Sequence, residues 1–151
     1  MKWVNILIFA VLASLAFSAQ AQTSNYREVG DYTIFYDVLP TTFLEPQLAQ
    51  AYGLTRSRGM GLLRITVMKK DDGGNLLPVE QPRVAGQVGN LAGQINPLSF
   101  REVEVGQGDG YSTISSFRYS HDTPLRFNLR VTYQSGQPAE ELHFIRRLYI
   151  E

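Results

Sequence analysis

Cysteine is absent from the 151 residues, which removes disulfides, thiolate zinc sites and cysteine nucleophiles together. Net charge is missing as well. With 14 Lys plus Arg against 14 Asp plus Glu, the chain offers no electrostatic footprint for a nucleic-acid backbone, so nucleic acid is not an expected partner. Only two histidines and one tryptophan occur, and there is no internal repeat or low-complexity tract. No apolar run reaches the ~20 residues that cross a bilayer as a helix. What remains is a composition that is 44% hydrophobic, ordinary for a globular protein.

The first segment reads as an address. Lys2 gives a positive start, Ile6 to Phe17 give an apolar and small-residue run, and Ala19-Gln20-Ala21 gives the small-x-small pattern that signal peptidase reads. Residues 1–21 are therefore expected to be a cleaved signal peptide and 22–151 a single domain delivered to the periplasm. No cysteine follows the cleavage site, so a lipoprotein and a membrane anchor after processing are both unexpected. Trp3 would leave with the signal. Without disulfides in an oxidising compartment, stability has to come from packing and backbone pairing.

Beyond Val29 the apolar residues alternate. Tyr32, Ile34, Tyr36 and Val38 share one face of a strand with Thr33 and Asp37 on the other. Leu63, Ile65 and Val67 alternate with Arg64 and Thr66 in a strand over 62–70, and Asp71-Asp72-Gly73-Gly74 turns it back into a short edge strand over 76–79 that contains Pro78. Two further strands are expected over 84–91 and 98–105, joined through a turn region at 93–97, with Gly86, Gly89 and Gly93 making the first flexible or bulged. After the glycine-rich turn 106–110, Tyr111, Thr113, Ser115, Phe117 and Tyr119 define one strand, and Leu125, Phe127, Leu129, Val131 and Tyr133 give the cleanest alternation of all. Leu142, Phe144 and Leu148 mark the last strand, over 141–150. One helix interrupts the pattern, over 45–53, framed by Pro46 and Gly53. Its Leu48, Ala51 and Tyr52 are expected to close one end of the core, with Phe43 and Leu44 beside them. Seven or eight short strands at this spacing predict an all-β, two-sheet antiparallel immunoglobulin-like sandwich with one short helix.

Reactive constellations are scarce. His121-Asp122 in a turn and His143 on a strand could form an acid–base pair, since imidazole titrates near neutrality and a carboxylate can orient it, but no serine lies in a nucleophile elbow. Met60, Met68 and the histidines are ligand types for cuprous ion, yet they are not clustered in sequence, so neither a metal nor any cofactor is expected. The glycines of 106–110 join strands and open no helix, which leaves phosphate no aligned amides. Arg56-Ser57-Arg58 and Arg146-Arg147 are basic pairs able to meet an anion.

Thr41-Thr42-Phe43-Leu44, Ala51-Tyr52-Gly53-Leu54-Thr55-Arg56-Ser57, Gly89-Asn90-Leu91 and Phe100-Arg101-Glu102 resemble an uncharacterised family of small secreted bacterial proteins, the domain of unknown function 4426. That resemblance spans nearly all the chain after residue 21. It implies a secreted single-domain β protein and brings no catalytic residues with it. If those segments converge in space, Tyr52, Arg56, Asn90, Arg101 and Glu102 form a candidate binding patch, with an Arg101–Glu102 ion pair as the plainer alternative.

The expected function is a non-catalytic periplasmic module that binds a protein, peptide or other envelope component through the helix-containing segment or an exposed strand edge. An alternative from another class is a small hydrolase or metal-handling protein using His121, Asp122 or His143. A third is a structural subunit of an envelope assembly. The two histidines discriminate: chemistry requires them in one pocket, a binding module does not.

Overall fold

A computed structural model describes residues 25–106 and 108–151; the expected signal peptide lies outside them. Among the described residues, ten strands and one α-helix run in the order β1 (Tyr26–Val29), β2 (Tyr32–Pro40), a 3-10 turn (Thr41–Phe43), α1 (Pro46–Ala51), β3 (Met60–Lys70), β4 (Leu76–Pro78), β5 (Arg83–Asn90), β6 (Ile95–Pro97), β7 (Arg101–Glu104), β8 (Tyr111–Arg118), β9 (Thr123–Thr132) and β10 (Glu140–Leu148). They form two antiparallel sheets, one ordered β1-β2-β3-β8-β7 with β4 also on β3, the other ordered β10-β9-β5-β6. The expected two-sheet sandwich with one short helix is what folds.

Alternation explains the core. Ile34, Leu63, Ile65 and Val67 face inward from the larger sheet and meet Val88, Leu125, Phe127, Leu129, Val131 and Leu142 from the smaller one. Each such side chain contributes roughly 1.5–3 kcal/mol on leaving water. An aromatic column crosses the interface: Phe117 meets Phe127 edge-on at 5.1 Å, Phe127 stacks on Phe144 at 5.1 Å, and Phe144 stacks on Tyr36 at 4.6 Å.

Three expectations need correction. The strand expected over 98–105 is confined to β7, and a separate short strand, β6, forms just before it. β6 pairs with β5 and β7 pairs with β8, because the chain crosses from one sheet to the other at Leu98–Phe100, and Leu98 and Phe100 pack against the core as it does so. The glycines of β5 make no bulge: its register with β9 runs unbroken from Arg83↔Thr132 to Asn90↔Leu125. Finally, α1 lies on a sheet face, and the end of the sandwich is not its place. Leu44, Ala49 and Tyr52 pack with Leu62 and Ile114 in a second apolar cluster, and Leu62 and Ile114 point away from the main core because they alternate with Leu63 and Thr113. Leu48, Ala51 and Phe43 stay exposed.

Candidate functional site

The outer face of the larger sheet is thus half covered. Thr41 to Ser57 lie over its Leu62–Ile114 end, anchored where the Thr41 Oγ1 donates to the Ser57 carbonyl at 3.2 Å and accepts from the Ser57 amide at 3.1 Å. The other half carries a groove of about 320 Å³, with Phe35 and Asp37 from β2, Arg64, Thr66 and Met68 from β3, and Ser112 from β8 on its floor. Pro78, Val105, Asp109, Gly110 and Tyr111 form its rim. Register places these side chains side by side: Asp37 is opposite Arg64 and Phe35 opposite Thr66.

The groove mixes apolar groups with a few polar ones. Arg64 Nη2 donates to Asp37 Oδ2 at 2.7 Å, with the two side chains 35% and 36% exposed. That is open enough for solvent to weaken the pair, and the remaining guanidinium donors stay available. The Thr66 and Ser112 hydroxyls lie 2.6 Å apart in a hydrogen bond. Mostly apolar lining with a few convergent polar groups is the usual make-up of a binding site.

The five candidate patch residues do not form one patch. Tyr52 is 4% exposed and ends α1; its carbonyl accepts from Arg101 Nη2, whose guanidinium lies over Gly53, the positive-φ residue that terminates the helix. Arg56 Nη2 donates to the Thr42 carbonyl at 2.9 Å. Glu102 accepts from the Gln81 amide at 2.9 Å, on the strand face opposite Arg101, so the two do not pair with each other. Asn90 belongs to the other sheet, where its Oδ1 accepts from the amides of Ala92 and Gln94 and shapes the β5–β6 turn. Tyr52 and Arg101 meet; Asn90 and Glu102 lie elsewhere.

The histidines also lie apart. His143 Nδ1 contacts Asn128 Oδ1 at 2.8 Å on the exposed face of β10. His121 Nδ1 accepts from the Ile150 amide at 2.9 Å beside the β8–β9 turn. The registers Asn128↔His143 and Thr123↔Leu148 are five residues apart along β9, a separation of ~17 Å. Met60 and Met68 sit at opposite ends of the same strand stretch.

Asp122 is committed elsewhere. Arg147 Nη1 donates to its Oδ1 at 2.9 Å, and this hydrogen bond, aided by the charge, holds the Asp122 carboxyl below its ordinary range. A depressed carboxyl supports the fold above its unfolded pKa and loses that support as pH falls through the folded one. A carbon-13 NMR titration should place the Asp122 midpoint below that of an ordinary aspartate and move it up in Arg147→Gln. Equal midpoints in the two proteins would refute the assignment.

Sequence reading placed Arg64 and Thr66 on the polar side of their strand but had no signal for the groove. Only strand register reveals that Asp37, Thr66 and Ser112 are neighbours across three strands.

A family model described as a domain of unknown function (DUF4426) matches residues 26–151. Among solved structures, a DUF4426 family protein from Pseudomonas aeruginosa PAO1 is similar at 29% identity and a TM-score of 0.69, over 83% of this chain and 94% of that one. FetP from uropathogenic E. coli strain F11, crystallised "as isolated" after recombinant expression in the periplasm of E. coli BL21(DE3), is similar at 10% identity and a TM-score of 0.59, over 83% of this chain and 93% of that one. The latter likeness is one of fold alone. No curated protein matches the sequence.

Proposed function

The chain belongs to the DUF4426 family, and from that premise we propose that it is a non-catalytic binding module of the bacterial periplasm whose partner is a protein or peptide of the cell envelope. The groove beside α1 carries this reading: Phe35, Met68, Pro78 and Tyr111 offer apolar contact around the Arg64–Asp37 pair, so an apolar side chain flanked by a polar group fits there. Tyr111, 40% exposed on the rim, is placed as an aromatic anchor. The location is supported by the signal-type pattern of residues 1–21, and among the described residues no helix is long and apolar enough to cross a membrane. The non-catalytic reading draws support from the ~17 Å between the histidine settings.

In-cell photo-crosslinking tests it. A photoreactive residue at Phe35 is expected to capture an envelope protein from the periplasmic fraction, with the yield falling about tenfold in Tyr111→Ser, as for loss of an aromatic hot spot. A probe at Gln134, in the β9–β10 loop, should capture none of it. Equal capture from both positions, or a yield unmoved by Tyr111→Ser, would overturn the groove as the docking site.

A further inference from the structure

A second cleft, of about 440 Å³, opens where the two sheets part. β8 pairs with β7 only as far as Ile114, so its last residues border an open gap facing the β5–β6 turn. Arg58 and Arg118 line one side, Gln94 and Asn96 the other, and Ser120 closes it; no carboxylate lines this cleft. The Asn90 Nδ2 donates to Gln94 Oε1 at 2.7 Å, which occupies the acceptor end of Gln94 and leaves its amide nitrogen to donate.

The two arginines differ from most others in the chain. Arg27, Arg64, Arg130 and Arg147 each face a carboxylate, and Arg56 and Arg101 donate to backbone carbonyls. Among the described residues neither Arg58 nor Arg118 has a side-chain partner. Two like charges sharing a cleft repel each other, and an anion between them turns that repulsion into attraction. The guanidinium fork matches the paired oxygens of a phosphoryl group, and amide and hydroxyl groups beside it suit the hydroxyls of a small polyol.

We propose that this cleft binds a phosphoryl group carried on a small polyol, through Arg58 and Arg118 with Gln94, Asn96 and Ser120 around the carrier. The site is separate from the groove and does not depend on it. Free phosphorylated polyols and phospholipid headgroups share this chemistry, so two probes are needed. Glycerol 1-phosphate, followed by NMR, should give saturable shifts of the Gln94 and Asn96 side-chain amides if the ligand is soluble. Vesicles of phosphatidylglycerol should sediment the protein, and vesicles of phosphatidylcholine should not, if the source is a headgroup.

In whichever arm binds, Arg58→Gln and Arg118→Gln should each weaken binding about tenfold or more, the scale of one charge-assisted contact. Arg126→Gln, which removes an exposed arginine from the outer face of the smaller sheet, should leave binding unchanged. Arg118→Lys keeps the charge without the fork and should fall between. Because neither cleft arginine holds another side chain in place, the variants are expected to keep the wild-type circular dichroism spectrum. Absence of binding in both arms, or equal weakening by Arg126→Gln, would overturn the site.

Discussion

Phe127→Ala is expected to lower the midpoint of thermal unfolding by about 15 °C. Phe127 is 0% exposed and stands in the middle of the aromatic column, in contact with Phe117 on one side and Phe144 on the other. Truncation removes its transfer free energy and leaves a cavity between two sheets that cannot close without shifting both, a loss of roughly 3–5 kcal/mol. For a domain of this size each kcal/mol moves the midpoint by about 3–5 °C. Ile145→Ala, which trims a side chain 51% exposed on β10, should stay within about 0.5 kcal/mol of wild type. Calorimetry of the two variants decides the matter, and a Phe127→Ala midpoint within 3 °C of wild type would contradict the proposed core.

Gly86→Ala should destabilise by about 3 kcal/mol, unusually much for one added methyl. Gly86 pairs with Leu129 in the unbroken β5–β9 ladder. A Cβ there would lie 2.5 Å from the Asn128 carbonyl oxygen and 2.6 Å from Leu129 Cδ2. The first of these is backbone, so no rotamer change relieves it; β5 has to move off β9 and carry β6 with it. Urea unfolding is the measurement, with Gln87→Ala, exposed on the same strand, as a reference expected within about 0.5 kcal/mol of wild type. Equal midpoints for the two variants would mean that β5 sits less tightly on its neighbour than these distances require.

The contrast at Gly86 illustrates what linear reading does well and where it fails. In sequence, three nearby glycines suggest a weak or bulged strand. In the fold, Gly86 is a place where strand and side chain approach too closely for a Cβ, which depends on a residue some forty positions later. The helix shows the same division. Pro46 and Gly53 mark its ends locally, and it forms there. Its buried face was legible only in part: Leu44 and Tyr52 are buried as expected, but Leu48 and Ala49 differ in hydrophobicity in the opposite sense to their burial, with Ala49 2% exposed and Leu48 37%. A short helix lying flat on a sheet buries what fits closest, and small Ala49 fits. The candidate patch separated for a related reason. Arg101 and Glu102 are adjacent in the chain, but adjacent residues of a strand point to opposite faces.

Sequence alone determined the sandwich class, the helix ends and the inward faces of β2, β3 and β9, because period-two alternation and turn residues act over a few neighbouring positions. Tertiary structure decided which sheet each strand joined, which half of the outer face the helix covered, and that Asp37, Arg64, Thr66 and Ser112 line one groove while Arg58 and Arg118 line one cleft. Those outcomes depend on register and on packing between residues far apart in the chain, and no local pattern of side chains encodes either.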